Sequence, residues 1–233
     1  MDWFHFKQFS IQQQSGVMRV NTDGVLLGAL AEMSDVRHML DIGTGTGVIA
    51  LMGAQRFPEA RIHAIDIDTL AAQCAAENFQ LAAFSAHMQA FPLSMEQFKP
   101  EQPYQLIVSN PPFFVADLKN PDPHKRRQRH TDPLFFQVLF AQVHKWLDHR
   151  GRFYVIWPPH VRTQMLPYAK QAGLHAVHEI TLHSFQDKPA FRVISAYSGT
   201  EQAFTSSPFV IYNTPGEYSP AYKELLGDFL QSL

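Results

Sequence analysis

Thiols are nearly absent from this 233-residue chain, whose one cysteine is Cys74. A single cysteine excludes an intramolecular disulfide and a multi-cysteine metal centre, and it suits a reducing compartment. Cys74 lies in the helix-like run Leu70-Ala71-Ala72-Gln73-Cys74-Ala75-Ala76, where packing is its ordinary role. Charge is also scarce: charged residues make up 17% and the formal net charge is −2. A near-neutral chain is not a general polyanion binder, so any nucleic-acid site has to be a local basic patch. No apolar run is long enough to span a bilayer, and the N-terminus lacks the charged-then-apolar pattern of a secretory signal. A soluble, cytoplasmic protein is expected. The histidines, 12 in number, form no His-x-x-x-His or Glu-x-x-His set with a facing partner, so no metal is expected.

What is present is a core. A hydrophobic fraction of 45% is ample for one domain, with residues 1–35 as an N-terminal extension and helix and 36–233 as the main body. The first 20 residues mix Trp3, Phe4, Phe6 and Phe9 with Lys7 and a glutamine run, as in a strand or hairpin that packs aromatics onto the body. Thr22 or Asp23 is available to cap a helix beginning near Val25, and either could equally contact a ligand.

Apolar strands then alternate with helix-compatible segments, the pattern of an α/β fold with a mostly parallel sheet and helices on both faces. The first strand, His38–Ile42, runs into Gly43-Thr44-Gly45-Thr46-Gly47 and then a helix. Glycines there let a ligand approach the backbone closely, and the helix N-terminus favours an anion or carboxylate. Asp41 precedes the loop, where a carboxylate can contact a cationic amino-acid moiety or order water around it. The second strand ends at Asp66-Ile67-Asp68. Asp66 stands where a carboxylate holds vicinal ribose hydroxyls, and Asp68 suits a helix cap. A third, weak strand over Ser85–Ala90 places Gln89 and Ala90 near its end, with Gln89 either an adenine contact or an exposed polar residue.

The fourth strand, Tyr104–Val108, stops at Ser109-Asn110-Pro111-Pro112-Phe113-Phe114. Two prolines cannot donate to a ladder and hold the backbone extended, so they make a rigid corner at a strand's C-terminal end. The Asn110 side-chain oxygen and the Pro111 carbonyl can each accept one N–H of an exocyclic amino group, and Phe113 offers a ring for a base to stack on. Beyond it, His124–His130 carries four fixed positive charges (Lys125, Arg126, Arg127, Arg129) and no acid, either phosphate contacts or a solvated surface. Later segments read as a strand at Arg152–Trp157, a helix at Thr163–Ala172, a strand pair at Ala176–Leu182 and Ala190–Tyr197, a strand at Phe209–Tyr212 and a last helix to Leu230. The pair is expected as an antiparallel hairpin at one edge of a seven-stranded sheet.

With Asp41 to Gly47, Asp66 and Asn110 to Phe113 in this order, the chain resembles the class I S-adenosylmethionine-dependent methyltransferases that act on exocyclic amino groups. Phe6-Lys7-Gln8-Phe9, Met18-Arg19-Val20-Asn21-Thr22-Asp23-Gly24, Arg129-His130-Thr131, Phe191-Arg192-Val193 and Tyr218-Ser219-Pro220-Ala221-Tyr222 narrow the resemblance to the bacterial tRNA1(Val) adenine-N6 methyltransferase family. The resemblance implies a Rossmann-like fold and methylation of N6 of the adenine just 3′ of the anticodon. It implies Asn110, Pro111, Pro112 and Phe113 as the catalytic corner. Thr22, Asp23, Asp41, Gly43, Gly45, Gly47, Asp66, Ile67, Gln89, Ala90 and Asn110 are the expected S-adenosylmethionine contacts. Lys7, Lys125, Arg126, Arg127, Arg129, His130 and Arg192 are the expected RNA contacts. Phe113 replaces the commoner Tyr of that family, and Gln89 stands where an Asp is usual. The corner also suits a protein glutamine side chain, and a non-catalytic RNA- or S-adenosylmethionine-binding module is the reading from a different class.

Overall fold

The computed structural model describes residues 2–111 and 133–232. Strands β1 (Asp2–His5) and β2 (Ser10–Gln13) form an antiparallel hairpin, followed by helix α1 (Thr22–Leu30). Then come β3 (His38–Ile42), α2 (Val48–Arg56), β4 (Arg61–Ile65), α3 (Thr69–Leu81), β5 (Met88–Phe91) and β6 (Tyr104–Ser109). The described chain resumes with α4 (Pro133–Trp146), β7 (Leu147–Trp157), α5 (Pro159–Gln171), β8 (His175–His183) and β9 (Arg192–Ser198). It ends with β10 (Thr205–Val210), the short pair β11 (Tyr212–Thr214) and β12 (Glu217–Tyr218), and α6 (Pro220–Leu226).

Among the described residues, eight strands form one sheet in the order β10-β8-β9-β7-β6-β3-β4-β5. Only β9 runs against its neighbours, β7 and β8; the other pairs are parallel. Strand alternation sends Met39, Asp41, Leu106 and Val108 to the face covered by α1 and α2, and Leu40, Ile42 and Ile107 to the face covered by α4 and α5. Burial on both faces is why these strands read as continuous apolar runs. Phe6, Phe9 and Ile11 join the same cluster as Leu26, Leu51 and Ile62.

Several expectations are corrected. The sheet has an eighth strand, because β10 pairs in parallel with β8. Pro208 and a run of small polar residues hid it, and both are tolerated at an edge. The expected strand over 209–212 is therefore divided between β10 and β11. The β8–β9 hairpin lies inside β10 rather than at the edge. The cap of α1 is Asn21, whose side chain accepts from the Gly24 amide at 2.9 Å, not Thr22 or Asp23. Ser85–His87 is a 3-10 turn, and β5 begins only at Met88. Helix α5 starts earlier than expected, since Pro159 occupies its first turn, where a missing N–H costs nothing.

Candidate active site

The strand order reverses between β3 and β6: β3 connects through α2 to β4 on one side, while β6 leads toward β7 on the other. In an open α/β sheet this is where ligands bind, beyond the strands' C-terminal ends. A cavity of about 490 Å³ opens there. The Ser109 hydroxyl donates to the Ile42 carbonyl at 2.9 Å and ties the two strand ends together beneath it.

The glycine loop forms the cavity floor. The Gly43 and Thr44 amides donate to the Ile65 carbonyl at 2.8 and 3.1 Å, so the loop bends back over β4. Gly43 has φ +74°, and a Cβ there would meet nothing within 4 Å, so the backbone is open to a ligand. Gly47 serves packing instead: at φ +84°, a Cβ would lie 2.6 Å from the Phe79 ring.

Two carboxylates govern the electrostatics. Asp66 ends β4 and accepts the Gly45 amide at 3.0 Å through Oδ2 and the Asp68 amide at 2.9 Å through Oδ1. Burial raises its pKa and these two amides oppose the shift. Asp41 is fully buried on the α2 side of β3. Its Oδ2 accepts the Thr44 hydroxyl at 2.7 Å, whereas its Oδ1 has no partner within hydrogen-bond range among the described residues. Burial pushes the carboxyl up to about 7; the Thr44 hydroxyl pulls it down, nearby Asp66 raises it, and the Ala50 backbone amide lowers it.

The corner after β6 borders the cavity through Ser109, Asn110 and Pro111. Asn110 is half-buried, Pro111 is buried, and the Asn110 amide makes no hydrogen bond among the described residues. Leu134, Phe135 and Val138 of α4 face the same space. Pro112, Phe113, Lys125, Arg126, Arg127, Arg129 and His130 lie outside the described residues.

The structure thus brings Gly43, Gly45, Asp66, Ile67, Asn110 and Pro111 to one cavity, with Ile67 80% exposed beside it. Asp41 lies beneath the loop rather than on the cavity wall, and Thr22, Asp23, Gln89 and Ala90 do not border it. Gln89 is exposed in mid-strand opposite His63, so it does not stand at the strand's end. Beyond that end it is Leu93, Ser94, Met95 and Glu96 that border the cavity. Pro92, which stops β5, was the signal that places them. Sequence reasoning also missed Gly16–Arg19 and Asn21, which line the cavity as well. No periodic pattern marks such a segment. Lys7 is occupied elsewhere: its ammonium donates to the Gly227 carbonyl. Arg192 pairs with Asp23, Nε to Oδ2, at 2.7 Å.

Comparison with known proteins agrees with this geometry. Residues 20–181 match the family model described as the methyltransferase small domain. A tRNA1(Val) (adenine(37)-N6)-methyltransferase of Pedobacter heparinus is 46% identical over 97% of both chains. The protein of the same name from Pectobacterium carotovorum is 33% identical over 98% of this chain and 93% of its own. Among solved structures, protein Atu636 of Agrobacterium tumefaciens, a predicted O-methyltransferase, aligns with TM-score 0.70 at 17% identity, covering 89% of this chain and 96% of its own. The glycopeptide N-methyltransferase MtfA, solved with S-adenosylmethionine, aligns with TM-score 0.57 at 10% identity over 77% and 88%. These likenesses establish the class I methyltransferase fold. With the sequence relatives matched from end to end, this chain belongs to the tRNA1(Val) (adenine(37)-N6)-methyltransferase family.

Proposed function

We propose that this protein transfers a methyl group from S-adenosylmethionine to N6 of an adenine in tRNA, the adenine at position 37 of tRNA1(Val). The observation that carries this reading is the Asn110–Pro111 corner, held against β3 by Ser109 and facing the cavity floored by the glycine loop.

The residues fit the cofactor. The unpartnered Asp41 Oδ1 matches a cationic amino-acid end, the open backbone at Gly43 admits it, Asp66 suits a ribose diol, and exposed Ile67 suits a flat adenine. S-Adenosylmethionine supplies an electrophilic methyl group bonded to a sulfonium sulfur.

Around it the chain's own residues position the nucleophile. The Asn110 side-chain oxygen and the Pro111 carbonyl accept the two N–H groups of the adenine amine. This draws its nitrogen toward sp3 and frees the lone pair to attack. Bound S-adenosylmethionine would supply the methyl group and leave with the sulfur's bonding pair, and the methylated amine held by Asn110 and Pro111 would lose one proton to solvent. No strong general base is needed, because an N-methylated arylamine cation is acidic. Phe113 is proposed to stack on the flipped base, and Lys125, Arg126, Arg127, Arg129 and His130 to meet the RNA backbone. Among the described residues no helix is long and apolar enough to cross a membrane, and we place the enzyme in the cytoplasm with its substrate.

The test is Asn110→Ala. Cofactor affinity should hold within about twofold while kcat falls by about 10²–10³, the usual cost of one preorganised hydrogen-bonding group. Unchanged kcat would sink the mechanism. Incubating the wild type with labelled S-adenosylmethionine, tRNA lacking N6-methyladenosine and total protein separates the substrates. Label in a protein glutamine and not in RNA would move the acceptor while leaving fold and cofactor in place.

A further inference from the structure

We propose that Asp23 and Arg192 act as one unit, a fixed cation at the rim of the catalytic corner that takes a backbone phosphate of the RNA. The inference rests on the tRNA reading above and assigns Asp23 a role other than the cofactor contact expected from sequence.

The placement follows from register. Ser109 of β6 pairs with Val155 of β7, and Val155 pairs with Ser195 of β9. Because β9 runs the other way, its first residue, Arg192, stands at the same sheet edge as Asn110. The lateral separation is two strand spacings, roughly 10 Å. From the other side, Asp23 adjoins Gly24, where a Cβ would lie 3.8 Å from the Asn110 amide nitrogen. The pair therefore links the two segments that flank the corner, and neither residue borders the cavity itself.

The bonding pattern argues for more than a tether. The Arg192 Nε donates to Asp23 Oδ2 at 2.7 Å and its Nη1 to the Phe191 carbonyl at 2.9 Å, with the guanidinium carbon 5.8 Å from the Phe191 ring centre. Nη2 makes no hydrogen bond among the described residues, and the Arg192 side chain is 31% exposed. A tether alone would favour the bidentate fork that arginine and a carboxylate form readily. Here one edge of the guanidinium is immobilised and donors are left over, so an incoming phosphate meets a cation whose rotamer entropy is already lost. The Asp23 charge does not cancel this, because Asp23 sits in the first turn of α1, where the helix's positive end offsets a carboxylate.

The experiment measures binding of a tRNA1(Val) anticodon stem-loop to the full-length enzyme by fluorescence anisotropy across a salt series. Arg192→Gln should weaken binding about tenfold, the value of one charge-assisted hydrogen bond. The slope of log affinity against log salt should fall by about 0.7, one single-strand phosphate contact. S-Adenosylmethionine affinity and melting temperature should stay near wild type. The exchanged double variant, Asp23→Arg with Arg192→Asp, keeps an ion pair but moves the cation onto α1, and RNA binding should remain weak. Restored binding in the exchanged variant, or an unchanged salt slope in Arg192→Gln, would overturn the proposal. Strong wild-type binding without methyl transfer would instead count against the proposed reaction, and the binding comparison would still decide the role of Arg192.

Discussion

At the scale of single residues, Asp41 is a buried carboxyl whose titration makes stability depend on pH. Its pKa is raised by burial to about 7 against an ordinary 3.8, so between those values the folded protein holds a proton that the unfolded chain releases. The contribution is therefore neutral below pH 4, turns unfavourable as pH rises through that window, and reaches its full cost above 7. The full shift corresponds to roughly 4 kcal/mol as an upper figure. Asp41→Asn removes the titration. In urea unfolding without cofactor, the stability difference between variant and wild type should grow in the variant's favour from pH 5 to pH 8; a constant difference would contradict it. A cation held across the glycine loop from Asp41 favours the charged carboxylate, so wild-type binding of S-adenosylmethionine near pH 7 should release a proton. Calorimetry in two buffers of different ionisation enthalpy reads that release, which Asp41→Asn should abolish. The position of Asp66 at the cavity was legible, because an acid that follows a strand beside a glycine loop stands at the sheet's ligand-binding edge. That Asp41 lies beneath the loop was not legible, because alternation along a strand assigns a face only once the covering helix is known.

At the scale of elements, the N-terminal hairpin is docked by one buried side chain. Asn78 of α3 accepts the Gln12 amide at 2.8 Å through Oδ1 and donates through Nδ2 to the Gln12 and Thr46 carbonyls at 3.2 and 2.9 Å. It thereby joins β2, α3 and the glycine loop. Asn78→Ala removes three hydrogen bonds to the backbone of Gln12 and Thr46 and should cost about 3 kcal/mol. Amide exchange should accelerate first over Ser10–Gln13 and the Gly43–Gly47 loop, and equal protection across the chain would refute the docking role. Nothing in Glu77-Asn78-Phe79 marks this asparagine, since a polar residue inside a helix reads as surface until the hairpin lands on it. Gln89 shows the converse. A strand boundary moved by a few residues places its side chain within β5 and off the cavity lining, and boundaries are the weakest part of any reading from pattern.

At the scale of the whole molecule, the two chain ends close on each other. Phe6 bridges Leu230, the Lys7 amide donates to the Phe229 carbonyl at 2.8 Å, and the Gln231 side chain donates to the Phe6 carbonyl at 3.3 Å. Phe229, Leu226 and Tyr222 share the hydrophobic cluster that holds Phe6 and Leu26. Ending the chain at Leu226 should therefore uncover Phe6 and cost about 3–5 kcal/mol, the range for losing a large buried aromatic. The loss is measured as a fall in melting temperature, and an unchanged melting temperature would show the clasp to be dispensable.

The alternation of apolar strands with helices, the glycine loop with its preceding acid and the Asn110–Pro111 corner are all local features. Each is decided by side-chain chemistry within a few residues, so the sequence by itself determined the fold class and set the glycine loop and the Asn110–Pro111 corner at the ends of neighbouring strands. The edge strand β10, the wall built from Gly16–Arg19 and Leu93–Glu96, the burial of Asp41 and the pairing of Asp23 with Arg192 join residues far apart in the chain. Asp23 and Arg192 are 169 positions apart, and no propensity or period carries information over that separation. Only the packing of α1 and β9 beside the same sheet edge brings them together.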